Sequence, residues 1–246
     1  MSPLNWPRNR LLLALPAGNL KRLMSQLEPI PCERGQVLLD ADSALDDVFF
    51  PESGVVSVVA VYEDGSVIEM ATIGREGCTG FQAIFGDKES SVRFLVQIPG
   101  SAARISRSAF LRAMKAMPAF RNLMHAYVQA IMEQVLVSGS CNGAHSVKLR
   151  LARWLLMMDD RTDGNILQIT QTLLAEMLGV HRPTITNALR SSKRPAWLPP
   201  VNDRSWCLTE KLSCKRRANA TSWSVSGLPF IFQKPTRNPP KKLSRP

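Results

Sequence analysis

The sequence predicts an α+β protein in which an N-terminal β-roll or jelly roll is followed by a long helix and a helical C-terminal domain. Apolar residues recur at spacings of three and four before residue 29 and after residue 107, as they do in amphipathic helices. Between these limits they alternate, and glycines separate short β-rich runs about ten residues apart. Many short strands at that spacing are typical of barrels and jelly rolls.

The composition is that of a globular protein. The chain has 246 residues, of which 45% are hydrophobic and 21% are charged, which is enough for one large or two ordinary domains. No apolar run approaches the roughly 20 residues that a membrane span needs, so we expect a soluble cytoplasmic protein without a membrane partner. The cysteines number five and lack metal-binding spacing, which excludes a disulfide scaffold and most zinc modules.

The first 107 residues are predicted to form two units. Residues 1–28 form an N-terminal helical segment, because leucines at helical spacing precede Pro29. Residues 29–107 form the β-roll, in which Asp64-Gly65 between two β-rich runs predicts a hairpin. Further short strands are predicted at Val37–Leu39, Val48–Phe50, Phe94–Ile98 and Ala102–Ile105.

Residues 108–140 are predicted to form a dimerisation helix with Ser108 as its N-cap. After Pro118, apolar residues at spacings of three and four continue over more than two heptads. So wide an apolar stripe has to be buried on two sides, and the second side predicts a second copy of the chain. The alternative is a single core helix that packs only on the β-roll.

Residues 146–190 are predicted to contain a helix-turn-helix. Within them, Thr170 can cap the first helix, Gly179 can end it, and the small Ala175 suits a close helix crossing. The second helix turns polar side chains outward, and a helix of this kind fits the DNA major groove, which is about 12 Å wide. The outward residues are Arg182, Thr184, Thr186 and Asn187. The alternative is an ordinary helical hairpin.

This succession of β-roll, long helix and helix-turn-helix resembles the Crp/Fnr family of transcription regulators over roughly residues 10–190. The resemblance implies a homodimer on a two-fold symmetric site in double-stranded DNA, with RNA polymerase as a candidate partner. Arg182 stands where the family places a base-contacting arginine, and Asn187 where some members carry a second one. Pro183 replaces a common base-reading acid. The candidate phosphate contacts are Thr170, His181, Thr184 and Thr186.

The candidate effector site lacks the anchors of a cyclic-nucleotide pocket. Binders of this family hold the ribose with a glutamate after a glycine, and the phosphate with an arginine about ten residues later. Here Gly80 precedes Phe81, Ser91 occupies the place of the arginine, and Arg93 is displaced toward the other face. We therefore expect no cyclic AMP binding. Because Cys32 stands alone near the N-terminus, we also expect no iron–sulfur cluster, and no other cofactor is predicted.

The sequence does not favour an enzyme. A jelly-roll enzyme of the cupin type needs clustered His and Glu metal ligands. His125, His145 and His181 all lie outside the β region. No nucleophile elbow or phosphate-binding loop is present in the sequence.

The tail, residues 191–246, is basic, rich in proline and predicted to be disordered. Residues 1–189 hold 18 basic and 18 acidic side chains, so the net charge of +11 lies entirely beyond them. The family continues there with a two-stranded wing. Permitted codons for Arg190–Trp197, read from the last base of the Arg190 codon, spell the expected Glu-Leu-Gln-Ala-Ala-Gly-Leu. This predicts a frameshift near codon 190, which the nucleotide sequence of the gene tests. The alternatives are an evolved nucleic-acid-binding tail, or a β-roll sensor whose truncated DNA-binding domain is non-functional.

Overall fold

The computed structural model describes residues 6–163, 166–167, 169–191 and 206–207. Apart from Ser191 and one two-residue strand, the predicted tail lies outside the described residues. The helices are α1 (Arg10–Leu13), α2 (Ala17–Met24), α3 (Arg107–Ala116), α4 (Pro118–Ala144), α5 (Val147–Arg161), α6 (Gln171–Leu178) and α7 (Arg182–Ser191). The strands are β1 (Glu28–Cys32), β2 (Val37–Leu39), β3 (Asp47–Val61), β4 (Val67–Ile73), β5 (Arg93–Ser106), β6 (Ile166–Leu167) and β7 (Trp206–Cys207).

The β-roll is one antiparallel sheet of five strands in the order β1-β5-β3-β4, with β2 also paired to β5. The predicted hairpin is confirmed, because β3 and β4 pair from Val56–Ile73 to Val61–Val67. Of the four predicted short strands, only Val37–Leu39 is a separate strand, and the prediction is wrong for the other three. Val48–Phe50 is part of the 15-residue strand β3, and both predicted runs between residues 94 and 105 belong to the 14-residue strand β5.

The long strands bend where the sequence predicted breaks. A Cβ atom at Gly100 would lie 2.2 Å from the carbonyl oxygen of Ser53, so only glycine allows β3 and β5 to approach this closely. The pairing register shifts on both sides of Ser53, as expected of β-bulges. Glycine therefore marks a bend inside a strand at this point, although its sequence signal resembles that of a turn.

The range 108–140, predicted as one dimerisation helix, consists of parts of two helices, α3 and α4. Ser106, and not Ser108, caps α3, because the Ser106 Oγ accepts a hydrogen bond from the Ala109 amide at 3.3 Å. Met117 is extended, and Pro118 begins α4 in the first turn, where proline loses no helical hydrogen bond. The range 108–140 thus contains a break, and α4 continues to Ala144. None of the described helices is both long and apolar enough to cross a membrane.

A second hydrophobic core joins the helical C-terminal region to the sheet. The first core fills the β-roll and includes residues of α4 as far as Ile131. The second is formed by α5, α6 and α7, with Trp154 as its largest fully buried side chain. Val55 and Val59 of β3 belong to this second core. The helical region therefore buries part of its apolar surface against the β-roll rather than against itself alone.

Glu69 on β4 is a buried carboxyl group at the boundary between the β-roll and α5. The Ser57 hydroxyl donates a hydrogen bond to it. Burial raises the pKa of Glu69 from its ordinary value of 4.5 to about 7, although Ser57, Trp154, Arg153 and Arg161 act in the opposite direction. Desolvation of the charged form thus outweighs the attraction of the two arginines.

Glu69 makes the stability of the protein depend on pH. Its contribution is fully present below about pH 4.5, where the carboxyl is protonated in both states, and is lost as the pH rises through about 7. We expect Glu69→Gln to be more stable than the wild type at pH 8 and similar to it at pH 5, as measured by urea unfolding. Glu133→Gln, at an exposed carboxyl of α4, is the matched control. An equal effect of both substitutions at pH 8 would contradict the assignment.

Candidate nucleic-acid interface

The segment from α6 to α7 has the local geometry of a helix-turn-helix. The Thr170 Oγ1 accepts a hydrogen bond from the Leu173 amide at 3.2 Å, so the predicted cap of α6 is confirmed. Gly179 ends the helix with φ at 59°, a conformation that glycine adopts without strain. The Val180 amide then donates to the Ala175 carbonyl at 2.9 Å. These bonds hold the turn between the two helices.

Helix α7 is amphipathic, as the sequence predicted. Ile185 is fully buried in the second core, which fixes the inner face of the helix. His181, Arg182 and Asn187 are exposed at the start and along the outer face. A short helix with one buried face and a polar exposed face can enter a groove of double-stranded DNA.

The two candidate threonines of α7 are less exposed than Arg182 and Asn187. Thr184 and Thr186 are half-buried. The Thr186 hydroxyl donates to the Gln171 Oε1 at 2.7 Å, so this side chain is turned toward α6. The structure thus brings Thr170, His181, Arg182, Thr184 and Asn187 together on the helix-turn-helix and gives Thr186 a partner inside the domain.

Sequence reasoning missed Arg150, a side chain of α5 that bonds the end of the first helix of the helix-turn-helix. Arg150 lies on α5, where its Nη2 donates to the carbonyl oxygen of Leu178, the last residue of α6. Its Nε donates to the Asn142 Oδ1 at 3.1 Å. Arg150 is one of several charged residues of α5, and charged residues along a helix usually indicate a solvated face, so no sequence signal singled it out.

The candidate effector residues of the β-roll do not converge on one cavity. Phe81 packs edge-to-face against Phe94 and Tyr127, with ring centroids 5.8 and 6.2 Å apart. Arg93 precedes Phe94 on β5 and therefore points to the opposite face of the sheet. There its Nε bonds the Asp40 Oδ1 at 2.6 Å, and its Nη2 bonds the Asp40 Oδ2 at 3.1 Å.

The other two candidate effector residues have different environments. Gly80 is buried just before the 3-10 turn Phe81–Phe85, whereas Ser91 is exposed. Across the described residues, no three His, Cys, Asp or Glu side chains are grouped closely enough to hold a metal ion. The four candidate effector residues thus have separate environments: Phe81 packs against aromatic rings, Arg93 pairs with Asp40, Gly80 is buried and Ser91 is exposed.

Two parts of the chain match known protein families. Residues 29–117 match the cyclic nucleotide-binding domain, and residues 149–198 match the Crp-like helix-turn-helix domain. The chain belongs to the Crp/Fnr family. The fold class, with its β-roll, long helix and helix-turn-helix, is thereby confirmed, and Crp/Fnr proteins are DNA-binding transcription regulators rather than enzymes. No curated protein sequence matches this chain.

Several solved structures of Crp/Fnr proteins have the same fold. The c-di-GMP responsive global regulator CLP of Xanthomonas campestris aligns with a TM-score of 0.65 and 15% identity, covering 80% of this chain and 100% of its own. FixK2 of Bradyrhizobium japonicum aligns with a TM-score of 0.66 and 16% identity, covering 77% of this chain and 96% of its own. A CRP/FNR-family regulator of Thermus thermophilus aligns with a TM-score of 0.63 and 17% identity, covering 78% of this chain and 98% of its own. At these identities the likeness concerns the fold alone.

Proposed function

We propose that this Crp/Fnr protein binds a two-fold symmetric DNA site as a homodimer, with α7 of each subunit in the major groove. The observation that carries the proposal is the geometry of α7. Its inner face is fixed by the buried Ile185, and its outer face presents Arg182 and Asn187 to the surroundings. Arginine pairs with the O6 and N7 atoms of guanine, and asparagine with the N6 and N7 atoms of adenine.

The surface of α4 supports the dimer. Met132 is 58% exposed and Leu136 is 65% exposed, and the two lie one helical turn apart on the same side. Gly139, Ser140 and Gly143 continue the exposed surface toward the end of the helix, and small residues allow two backbones to approach. Large apolar side chains so exposed on a long helix mark an interaction surface. A second copy of α4 would cover it.

The β-roll is proposed to work without cyclic AMP. A cyclic nucleotide needs a carboxylate for its ribose and a free arginine for its phosphate. Phe81 stands where that carboxylate would be, and Arg93 is paired with Asp40 on the other face of β5. Contact with RNA polymerase and the absence of an iron–sulfur cluster stay predictions.

The proposal is tested by selecting DNA from a pool of randomised duplexes with the full chain and with a chain whose reading frame is restored after codon 190. We expect enrichment of a two-fold symmetric sequence with half-sites about one helical turn apart. The frame-restored chain is expected to bind more tightly, because a wing adds phosphate contacts beside the recognition helix. Failure of both chains to enrich any sequence would refute the proposal.

Two substitutions on α4 test the dimer. Met132→Glu together with Leu136→Glu is expected to convert the protein to a monomer, because charges cannot be buried between two helices without partners. Sedimentation equilibrium measures the mass. Tyr62→Glu, at a 51% exposed aromatic in the β3–β4 hairpin, is the control and should leave the mass unchanged. A double variant that keeps the wild-type mass would show that this face of α4 is not the interface.

A further inference from the structure

The corner between α4 and α5 is short. α4 ends at Ala144 and α5 begins at Val147, and the two residues between them, His145 and Ser146, are both extended. A link of this length leaves the direction of α5 to be decided by contacts between the two helices. The angle of this corner matters because the helix-turn-helix packs on α5, whereas α4 carries the proposed dimer surface.

Two arginines of α5 reach back across this corner to α4. The Arg153 Nη1 donates to the Ser138 Oγ at 2.9 Å, and both side chains are buried. The Arg150 Nε donates to the Asn142 Oδ1 at 3.1 Å. In each pair the two residues lie almost equally far from the corner along their own helices. Two hydrogen bonds at successive distances from the corner therefore join α5 to α4.

Arg150 also bonds a third element. Its Nη2 donates to the Leu178 carbonyl oxygen at the C-terminal end of α6. The free carbonyl groups at a helix C-terminus carry partial negative charge and favour a cation. Leu178 lies directly before Gly179, and α7 begins three residues after that glycine. One guanidinium group thus connects the end of α4 to the turn from which the recognition helix starts.

The chemistry of this position suits arginine in particular. Arg150 is half-buried, and burial lowers the pKa of its guanidinium below the ordinary value. A partly desolvated cation is stable only when its hydrogen bonds are made. The planar guanidinium holds its donors in fixed relative directions, whereas the ammonium group of lysine is a single point on a flexible stem. Only the former can keep two acceptors on two helices at a defined separation.

We propose that Arg150 is a positioning residue that sets the orientation of α7 relative to α4, and thereby the spacing of half-sites that the dimer accepts. This inference rests on the proposed function. Because α4 relates the two subunits, the distance and rotation between the two copies of α7 depend on the corner that Arg150 spans. Loss of the bridge frees α7 to take several orientations.

The experiment uses the DNA site selected by the full-length wild type, with the spacer between half-sites lengthened or shortened by one and two base pairs. One base pair rotates a half-site by about 35° around the DNA axis. Fluorescence anisotropy gives the affinity for each duplex. The variants are Arg150→Met, which keeps the length but removes both bonds, and Arg150→Lys. Asn142→Ala removes only the acceptor on α4, and Arg112→Met is an exposed control that loses the same charge.

For the wild type and Arg112→Met we expect a sharp preference for one spacer, with a loss of about tenfold or more at each altered one. For Arg150→Met and Asn142→Ala we expect about tenfold weaker binding at the best spacer and less than about threefold variation between spacers. Arg150→Lys should resemble Arg150→Met, because an ammonium cannot bridge both acceptors. Binding to a single half-site should change little in any variant.

A merely stabilising role would lower the melting temperature without flattening the spacer profile. If Arg150→Met and Asn142→Ala keep the wild-type profile, the inference is wrong even when affinity falls. Should Arg150→Met fail to fold, Asn142→Ala decides the question alone, because it leaves the bond to Leu178 in place. If neither the wild type nor the frame-restored chain selects a DNA sequence, the proposed function fails and the inference falls with it. If only the frame-restored chain selects one, the same substitutions are compared in that chain. Selection by the wild type with unchanged variant profiles overturns only the role of Arg150.

Discussion

Replacing Arg182 and Asn187 together with alanine is expected to remove most of the preference of the protein for its target DNA. Both side chains are exposed on α7, whereas the neighbouring Ile185 is buried, so the substitutions change the outer face and leave the packing intact. Each side-chain pairing with a base edge contributes about 1–3 kcal/mol of discrimination. The two together should lower the ratio of target to scrambled-site affinity by at least about 30-fold.

The affinity ratio at matched salt separates base reading from charge. Removal of one arginine also weakens phosphate attraction, but that loss affects target and scrambled duplexes equally. Arg112→Ala, which removes an exposed arginine from α3, should leave the ratio unchanged. If the double variant retains the wild-type ratio, α7 does not read the bases and the proposed mode of binding is wrong.

Trp154→Ala is expected to have the largest effect on stability. The indole is 2% exposed and is the largest fully buried side chain of the second core. Truncation of a buried tryptophan costs about 3–5 kcal/mol, because apolar contacts are lost and a cavity remains. Since whole domains are stable by only about 5–15 kcal/mol, much of the folded population should disappear at modest urea concentration. Circular dichroism follows the unfolding without relying on tryptophan emission.

The effect of Trp154→Ala should extend beyond its own domain. Val55 and Val59 of β3 share the second core, so amide hydrogen exchange should accelerate in β3 and β4 as well as in the helices. Leu149→Ala, at a 40% exposed position of the same helix, is the control and should cost about 1 kcal/mol or less. Unchanged protection of β4 in Trp154→Ala would show that the β-roll does not depend on this core.

The helix-turn-helix could be predicted because its signals are local. Thr170 caps α6 through a neighbour three residues away, and Gly179 ends it through its own backbone conformation. The inner face of α7 follows from the spacing of its apolar residues. The support given by Arg150 could not be predicted, since its partners Asn142 and Leu178 lie eight residues before it and 28 residues after it.

In the β-roll too, the local features could be predicted from the sequence and the contacts between distant residues could not. The β3–β4 hairpin was predictable because its turn and both strands are adjacent in the chain. The continuity of β3 and β5 was not, because Gly100 meets Ser53 only after the sheet has formed. Glycine serves equally in turns and in close backbone approaches.

By itself, the sequence determined the β3–β4 hairpin, the cap and end of α6, and the polar face of α7, since these follow from backbone conformation and periodicity within a few residues. Only the tertiary structure decided that Glu69 is buried against α5, that Arg93 pairs with Asp40, and that Arg150 bridges α4 and α6. Burial and hydrogen-bond partners depend on which distant segments meet. No local pattern carries that information.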